Sequence, residues 1–438
     1  MDQAEKRIIE IIEKNRSRIV AFGDDIYRHA ELGYKEIRTA EKFRAFIEPL
    51  TQNYTDGLAI TGAKAYINRD KRDVFSLALI GELDALRIPN HAFANPETQA
   101  AHCCGHHIQL TGVAGAALAL TDPEIAQTLG GQLIFMTTPA EEYGELEFKN
   151  RLMAEGKIRF GGGKAELIRI GAFDDVDCAL ASHTDFNGIR VGGGTTNGFV
   201  SKIIRIKGKA AHAAGAREEG INALHAASLG LQAVSFNEHT FKDSDAVRIH
   251  SIITKGGDLV NIVPDDVVLE TLCRAKTLDA IRDAAFKTDR SFRAGARALG
   301  ARCVIETMPG YLPSIPEQMP EEVVEVIREA AGDRPVEVLT PDVHTPISTD
   351  VGDLQHVLPV LTVRTGGCAG GLHQSDFRIE DEDEAYLLTA KLIALSAYRL
   401  LKDGARVGRR VKERYRPVFR TREEYTQYLE QFNTVTED

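Results

Sequence analysis

Three times in this chain a near-continuous apolar run of strand length closes on a residue type that binds metals. Phe75 to Ile80 runs into Gly81-Glu82-Leu83-Asp84-Ala85-Leu86, Gln132 to Thr137 into Thr138-Pro139-Ala140-Glu141-Glu142, and Val176 to Ser182 into His183. Apolar runs without alternation mark strands buried on both faces, as in the parallel sheets of α/β proteins. Open sheets of that kind place their sites at the carboxyl ends of the strands. A fourth run, Val357 to Val363, leads into Gly366-Gly367-Cys368-Ala369-Gly370-Gly371-Leu372-His373, a glycine-rich loop carrying a histidine.

Between the first two strands lies His102-Cys103-Cys104-Gly105-His106-His107, ahead of a small, apolar helix expected over Ile108 to Leu120. Thiolate and neutral imidazole are the donors that borderline-soft divalent ions prefer. Gly105 lets the backbone turn and aim Cys104 and His106 at one ion. Taken alone, the stretch also fits buried cysteines with histidines capping a helix. With Glu142, His183 and His373 added, the donors exceed what one tetrahedral ion needs and suit two ions sharing a ligand. Glu141, beside Glu142, is placed to shuttle a proton. Asp84 is placed to orient a ligand through a hydrogen bond. The Gly161-Gly162-Gly163-Lys164 run lacks phosphate-loop spacing and reads as a plain loop before a helix over Ala165 to Ile170.

The length of 438 residues allows two or three domains. Residues 3 to 48 read as helices, with Ile8, Ile9, Ile11 and Ile12 opening an apolar stripe. Residues 199 to 308 read as strand, helix, strand, strand, helix, strand, a ferredoxin-like α+β unit. The expected fold is therefore an α/β catalytic domain with a mixed sheet flanked by helices (residues 1–194 and 311–438), interrupted by an α+β lid over 195–310. The helix Glu384 to Leu401 would close the fold. Residues 143 to 160 read as a charged excursion, and Gly404 to Asp438 as a tail used for packing or an oligomer contact.

With 53 Lys and Arg against 64 Asp and Glu, the net charge of -11 gives no basic excess for nucleic acid. Six scattered cysteines are not a disulfide framework and point to a reducing, cytoplasmic setting. Met1 to Lys14 has no apolar signal region, and no run of about 18 apolar residues offers a membrane span.

Read together, Gly-Glu-Leu-Asp-Ala-Leu, Cys-Cys-Gly-His, Thr-Pro-Ala-Glu-Glu, Gly-Gly-Lys, Lys-Gly-Lys-Ala-Ala-His, Gly-Gly-Asp-Leu-Val-Asn-Ile-Val-Pro-Asp, Ser-Thr-Asp-Val-Gly-Asp and Gly-Gly-Leu-His occur here in the order seen in the aminoacylase/carboxypeptidase G-like metallopeptidases. The chain resembles in particular their amidohydrolase branch, which contains auxin-conjugate hydrolases and aminobenzoyl-glutamate hydrolase. The resemblance implies a metal-dependent amidohydrolase acting on an N-acyl or aminoacyl amino acid, with two divalent ions (zinc or manganese) per subunit and dimerisation through the lid. It leaves room for a second, homologous subunit. It makes Cys104, His106, Glu142, His183 and His373 the ligands and Glu141 the general base. It also implies that His212 serves the oxyanion, often across the dimer, and that Asn261 and Arg274 hold the polar end of the substrate.

Two departures stand out: His107 occupies a position where the family usually has Asp or Asn, and Cys103 sits beside Cys104. His107 is open as an extra ligand, a second-layer donor or a substrate contact. The competing readings are a metallo-dipeptidase or carboxypeptidase, and a non-catalytic binding protein on the same scaffold.

Overall fold

The computed structural model describes residues 1–438. Its larger sheet has eight strands in the order Tyr54–Leu58, Gly62–Ile67, Gln132–Thr138, Ser76–Glu82, Cys178–Thr184, Val360–Thr365, Ile189–Val191, Val336–Val338. The four middle strands run parallel, and antiparallel partners flank them on both sides. Ser76–Glu82 and Gln132–Thr138 are buried along their whole length, which explains their unbroken apolar sequence.

Against this sheet lies the helix His106–Leu120, buried at every position. An apolar helix without a polar face must be covered on all sides. The N-terminal helices Gln3–Lys14 and Arg16–Arg28 and the long helix Thr389–Arg414 supply that cover and share one apolar core with it. The first helix starts at a capping box in which Asp2 and Glu5 bond each other's backbone N–H.

The chain from Gly198 to Pro309 builds four strands of a second sheet, and the C-terminal tail adds the fifth. Its strands lie in the order Arg248–Lys255, Asp266–Ala275, Gly198–Lys207, Arg302–Pro309, Thr434–Glu437, all antiparallel. The helices Ala223–Phe236 and Leu278–Ala298 pack on it through Ala226, Ala227, Phe292 and Ala296.

Three segments differ from the sequence expectation. The excursion contains a helix, Leu146–Ala154, whose Leu146 is buried with Ile203, Val268 and Met308 of the second sheet. The glycine run is no plain loop: Gly163 opens the helix Gly163–Arg169, and Lys164 is fully buried. The closing helix runs to Arg414 and breaks at Lys402 to Ala405, where Asp403, Gly404 and Ala405 adopt left-handed backbone angles. Beyond it the tail folds into the helix Arg422–Glu430 and the strand Thr434–Glu437, which caps one edge of the second sheet. These elements are short and charged, so their partners rather than their own periodicity define them.

Candidate metal centre

The carboxyl ends of the four parallel strands converge on Cys104, His106, Glu142, His183 and His373. Gly105 carries a φ of 90°, and a Cβ there would meet Thr184 Cγ2 at 2.6 Å. Only glycine fits this turn, which sets Cys104 just ahead of the helix and His106 at its first residue. His106 donates from Nδ1 to the Asp84 carbonyl at 2.9 Å. His183 donates from Nδ1 to the Thr184 carbonyl at 2.9 Å. A carbonyl only accepts, so both bonds fix the tautomer and leave each Nε2 with a lone pair for an ion. His183 Nε2 lies 3.4 Å from Cys104 Sγ. His373, at φ 59°, anchors its N–H on the Cys103 carbonyl at 2.9 Å and sets Nε2 3.2 Å from Glu142 Oε1.

The donor atoms fall into two groups, Cys104 with His106 and His183, and Cys104 with Glu142 and His373, each spanning no more than 4.8 Å. Cys104 is common to both. A third set, His106 with Glu141 and Glu142, links them. His106 Nε2 and Glu142 Oε1 are buried and make no well-formed hydrogen bond; each has only an ionisable neighbour at 3.2 Å, Glu82 Oε2 and His373 Nε2 respectively. Unpaired buried polar atoms of ligand type are what an ion would satisfy.

Asp84 is fully buried and grips the neighbouring carboxylate pair. Its two oxygens accept from the backbone N–H of Glu141 at 3.0 Å and of Glu142 at 2.8 Å. Burial, reinforced by Glu82, Asp350 and Glu142, pushes the Glu141 carboxyl well above the ordinary range. Burial works against an ionised Glu142 too, but its bond to His373 outweighs that and holds it down at about 2. Two adjacent carboxyls are thus driven apart, one favouring the proton and one refusing it.

Sequence reasoning did not single out the ion network beneath this pair. Lys164 bonds both Glu82 and Asp350, and all three are buried. Glu82 Oε2 lies 3.2 Å from His106 Nε2, and Glu82, Glu141 and Asp350 form a further carboxylate group. The signal was present, because Glu82 lies two residues before Asp84 and period-two spacing turns both to one side.

The remaining expected residues lie elsewhere. His107 is buried against Tyr27, with ring centroids 4.7 Å apart, and near Phe377 and Tyr386; it belongs to neither ligand group. Arg274 is half-buried; its guanidinium packs over the Phe199 ring at 5.1 Å and feels the charge of Glu142 and Glu141. His212 and Asn261 are exposed in the second unit, joined by a backbone bond from Ala213 to the Asn261 carbonyl. Within one chain the structure does not bring them to the ligand cluster.

Fold and site together define a two-unit α/β protein with a paired metal-ligand cluster at the ends of its parallel strands. A family model described as peptidase family M20/M25/M40 matches residues 78–398, and the chain belongs to that family. Among characterised relatives, one of the subunits of the p-aminobenzoyl-glutamate hydrolase of Escherichia coli (strain K12) is 28% identical over 291 residues, covering 64% of this chain and 56% of that protein. The Xaa-Arg dipeptidase of Mus musculus is 28% identical over 318 residues, covering 70% of this chain and 66% of that protein. The chain thus aligns with 56% and 66% of the lengths of these two relatives. Among solved structures, the YxeP protein of Bacillus subtilis, described as a dinuclear metal-binding peptidase, superposes with a TM-score of 0.61 at 21% identity, covering 89% of this chain and 99% of that one. No helix is long and apolar enough to cross a membrane.

Proposed function

We propose that this chain is a metal-dependent amidohydrolase that cleaves the amide bond of an N-acyl or aminoacyl amino acid. One observation carries the reading: two ligand groups share Cys104, with the high-pKa Glu141 beside them. One group offers a thiolate and two imidazoles, the other a thiolate, a carboxylate and an imidazole, which suits divalent zinc or manganese. Bound there, such ions would supply Lewis-acid polarisation of the amide carbonyl and a water of lowered pKa.

Glu141 takes the proton of the attacking water and returns it to the leaving nitrogen as the C–N bond breaks and a C–O bond forms. The products are a carboxylic acid and an amine. Asp84 fixes the peptide that carries both glutamates. Arg274, reaching in from the second unit, is the group for a substrate carboxylate. The relatives' names support this class, since p-aminobenzoyl-glutamate and Xaa-Arg dipeptides are both amides of an amino acid.

In this reading residues 195–310 form a ferredoxin-like lid inserted between the catalytic segments 1–194 and 311–438. Its free edge strand Arg248–Lys255, with exposed Ile252 and Ile253, joins a second copy. Such pairing is what would let His212 and Asn261, remote within one chain, serve a partner's site. Six free cysteines support a reducing, cytoplasmic compartment.

The test is elemental analysis with hydrolysis of a panel of N-acyl amino acids and dipeptides, before and after chelation. The reading expects two divalent ions per chain and turnover that chelation abolishes. Glu141→Gln is expected to lower kcat by about 10²- to 10⁴-fold with both ions retained. Full metal loading with no turnover on any panel member would favour a binding protein on this scaffold.

A further inference from the structure

All four polar backbone atoms of the Glu141–Glu142 pair are held by side chains. Asp84 takes both N–H groups. Tyr311 donates its hydroxyl to the Glu141 carbonyl. Lys149 donates from Nζ to the Glu142 carbonyl at 2.9 Å, and the Gly144 N–H joins it there at 2.9 Å. Both donors are almost wholly buried, Tyr311 at 3% exposure and Lys149 at 2%.

Neither donor belongs to the parallel sheet. Tyr311 lies where the chain returns from the second unit, and its own carbonyl accepts the Phe199 N–H at 2.8 Å. Lys149 comes from the helix Leu146–Ala154, with its ammonium over the Tyr143 ring at 4.5 Å. Tyr143 packs edge-on against Tyr311 and Phe199 and donates its hydroxyl to the Pro309 carbonyl at 2.6 Å. The glycine run makes room for both rings: a Cβ on Gly161 would lie 2.6 Å from Tyr143 Oη, and one on Gly162 would lie 2.7 Å from Tyr311 Cε1.

We propose that Tyr311 and Lys149 are positioning residues of the metal centre, orienting the Glu141–Glu142 peptide from the segment where the chain leaves the second unit and from the 143–160 excursion. A buried ammonium whose direct partners are one backbone carbonyl and the rings of Tyr143 and Tyr34, with Asp84, Glu36, Glu142 and Asp350 as the charges it feels, is a costly residue to keep for packing alone. A buried tyrosine hydroxyl spent on the carbonyl of Glu141 restrains the rotation that would turn both carboxylates away. The proposal rests on the reading of Glu142 as an ion ligand.

The test titrates the metal-free full-length protein with Co²⁺ and follows stoichiometry and visible absorption. Wild type should bind two ions. Tyr311→Phe and Lys149→Met should each weaken one of the two ions about tenfold, the worth of one buried hydrogen bond. The ion held by Cys104, His106 and His183 should keep its affinity and its spectrum. Lys149→Arg, which can still donate to the carbonyl, should restore most of the loss. General loosening of the fold would weaken both ions together, so the selectivity reads positioning. Glu142→Gln, run in parallel, should remove the same ion. If it does so while Tyr311→Phe and Lys149→Met bind both ions as wild type does, the positioning role is overturned and the ligand assignment stands. If Glu142→Gln itself leaves both ions in place, the ligand assignment fails and the proposal falls with it.

Discussion

Cys104 is the residue on which both ligand groups depend, and this makes its loss different in kind from the loss of any neighbour. Cys104→Ala is expected to reduce bound metal from two ions per chain towards none. His183→Ala and His373→Ala should each remove about one, because each belongs to a single group. Elemental analysis after dialysis against a weak chelator checks this, and equal loss in all three variants would contradict the shared thiolate. These donors were legible in the sequence because thiolate, imidazole and paired carboxylate rarely gather at strand ends for structural reasons. Lys164 was not. After three glycines a lysine has the local pattern of an exposed loop, and only the fold reveals Glu82 and Asp350 around it. Tyr311 was equally silent, since a tyrosine hydroxyl aimed at a backbone carbonyl leaves no trace in periodicity or charge.

At the scale of elements, the start of the helix Gly163–Arg169 is the tightest joint in the molecule. A Cβ on Gly163 would sit 1.6 Å from the carbonyl oxygen of Pro139, two residues before Glu141. Gly163→Ala is therefore expected to cost about 3 kcal/mol or more, or to push the Glu pair out of place. A thermal melt together with metal content separates the two, and an unchanged melt with full metal would refute the close approach. The parallel strands of the larger sheet were readable because each is buried almost throughout on both faces and so nearly continuously apolar. The helix Leu146–Ala154 was not, since it is short, charged and pinned by contacts far away in sequence, such as Asn150 with Glu306 at 2.6 Å. The tail failed to declare itself for the same reason. Its aromatic residues find partners only in the folded state, as when Tyr425 donates to Asp353 at 2.7 Å.

Across the whole molecule, one half-buried acid away from the centre sets a pH dependence. Burial raises Glu317 from 4.5 to about 7, against the opposing pull of Arg364 and the Thr362 N–H. Between those values the folded chain keeps a proton that the unfolded chain has released. Stability contributed by this group therefore falls as pH rises from about 4.5 to about 7 and stays lost above it. Glu317→Gln should flatten the melting temperature across that window relative to wild type, and parallel curves would show that Glu317 does not titrate there. The units on which such effects act are tied more than once. After the closing helix, the tail bonds the Gln355 carbonyl through Tyr415, seats Tyr425 on Asp353, and then adds Thr434–Glu437 to the second sheet. That last strand occupies one of the two borders of the five-stranded sheet and leaves Arg248–Lys255 as the other. The two borders are unequal as templates for another strand: Thr434–Glu437 is a four-residue edge, whereas Arg248–Lys255 offers eight residues of backbone with unpaired groups on its outer side. Trimming the final residues from Asn433 onward would replace the short border by the longer strand Arg302–Pro309, and light scattering at rising concentration would register the longer edge as larger species.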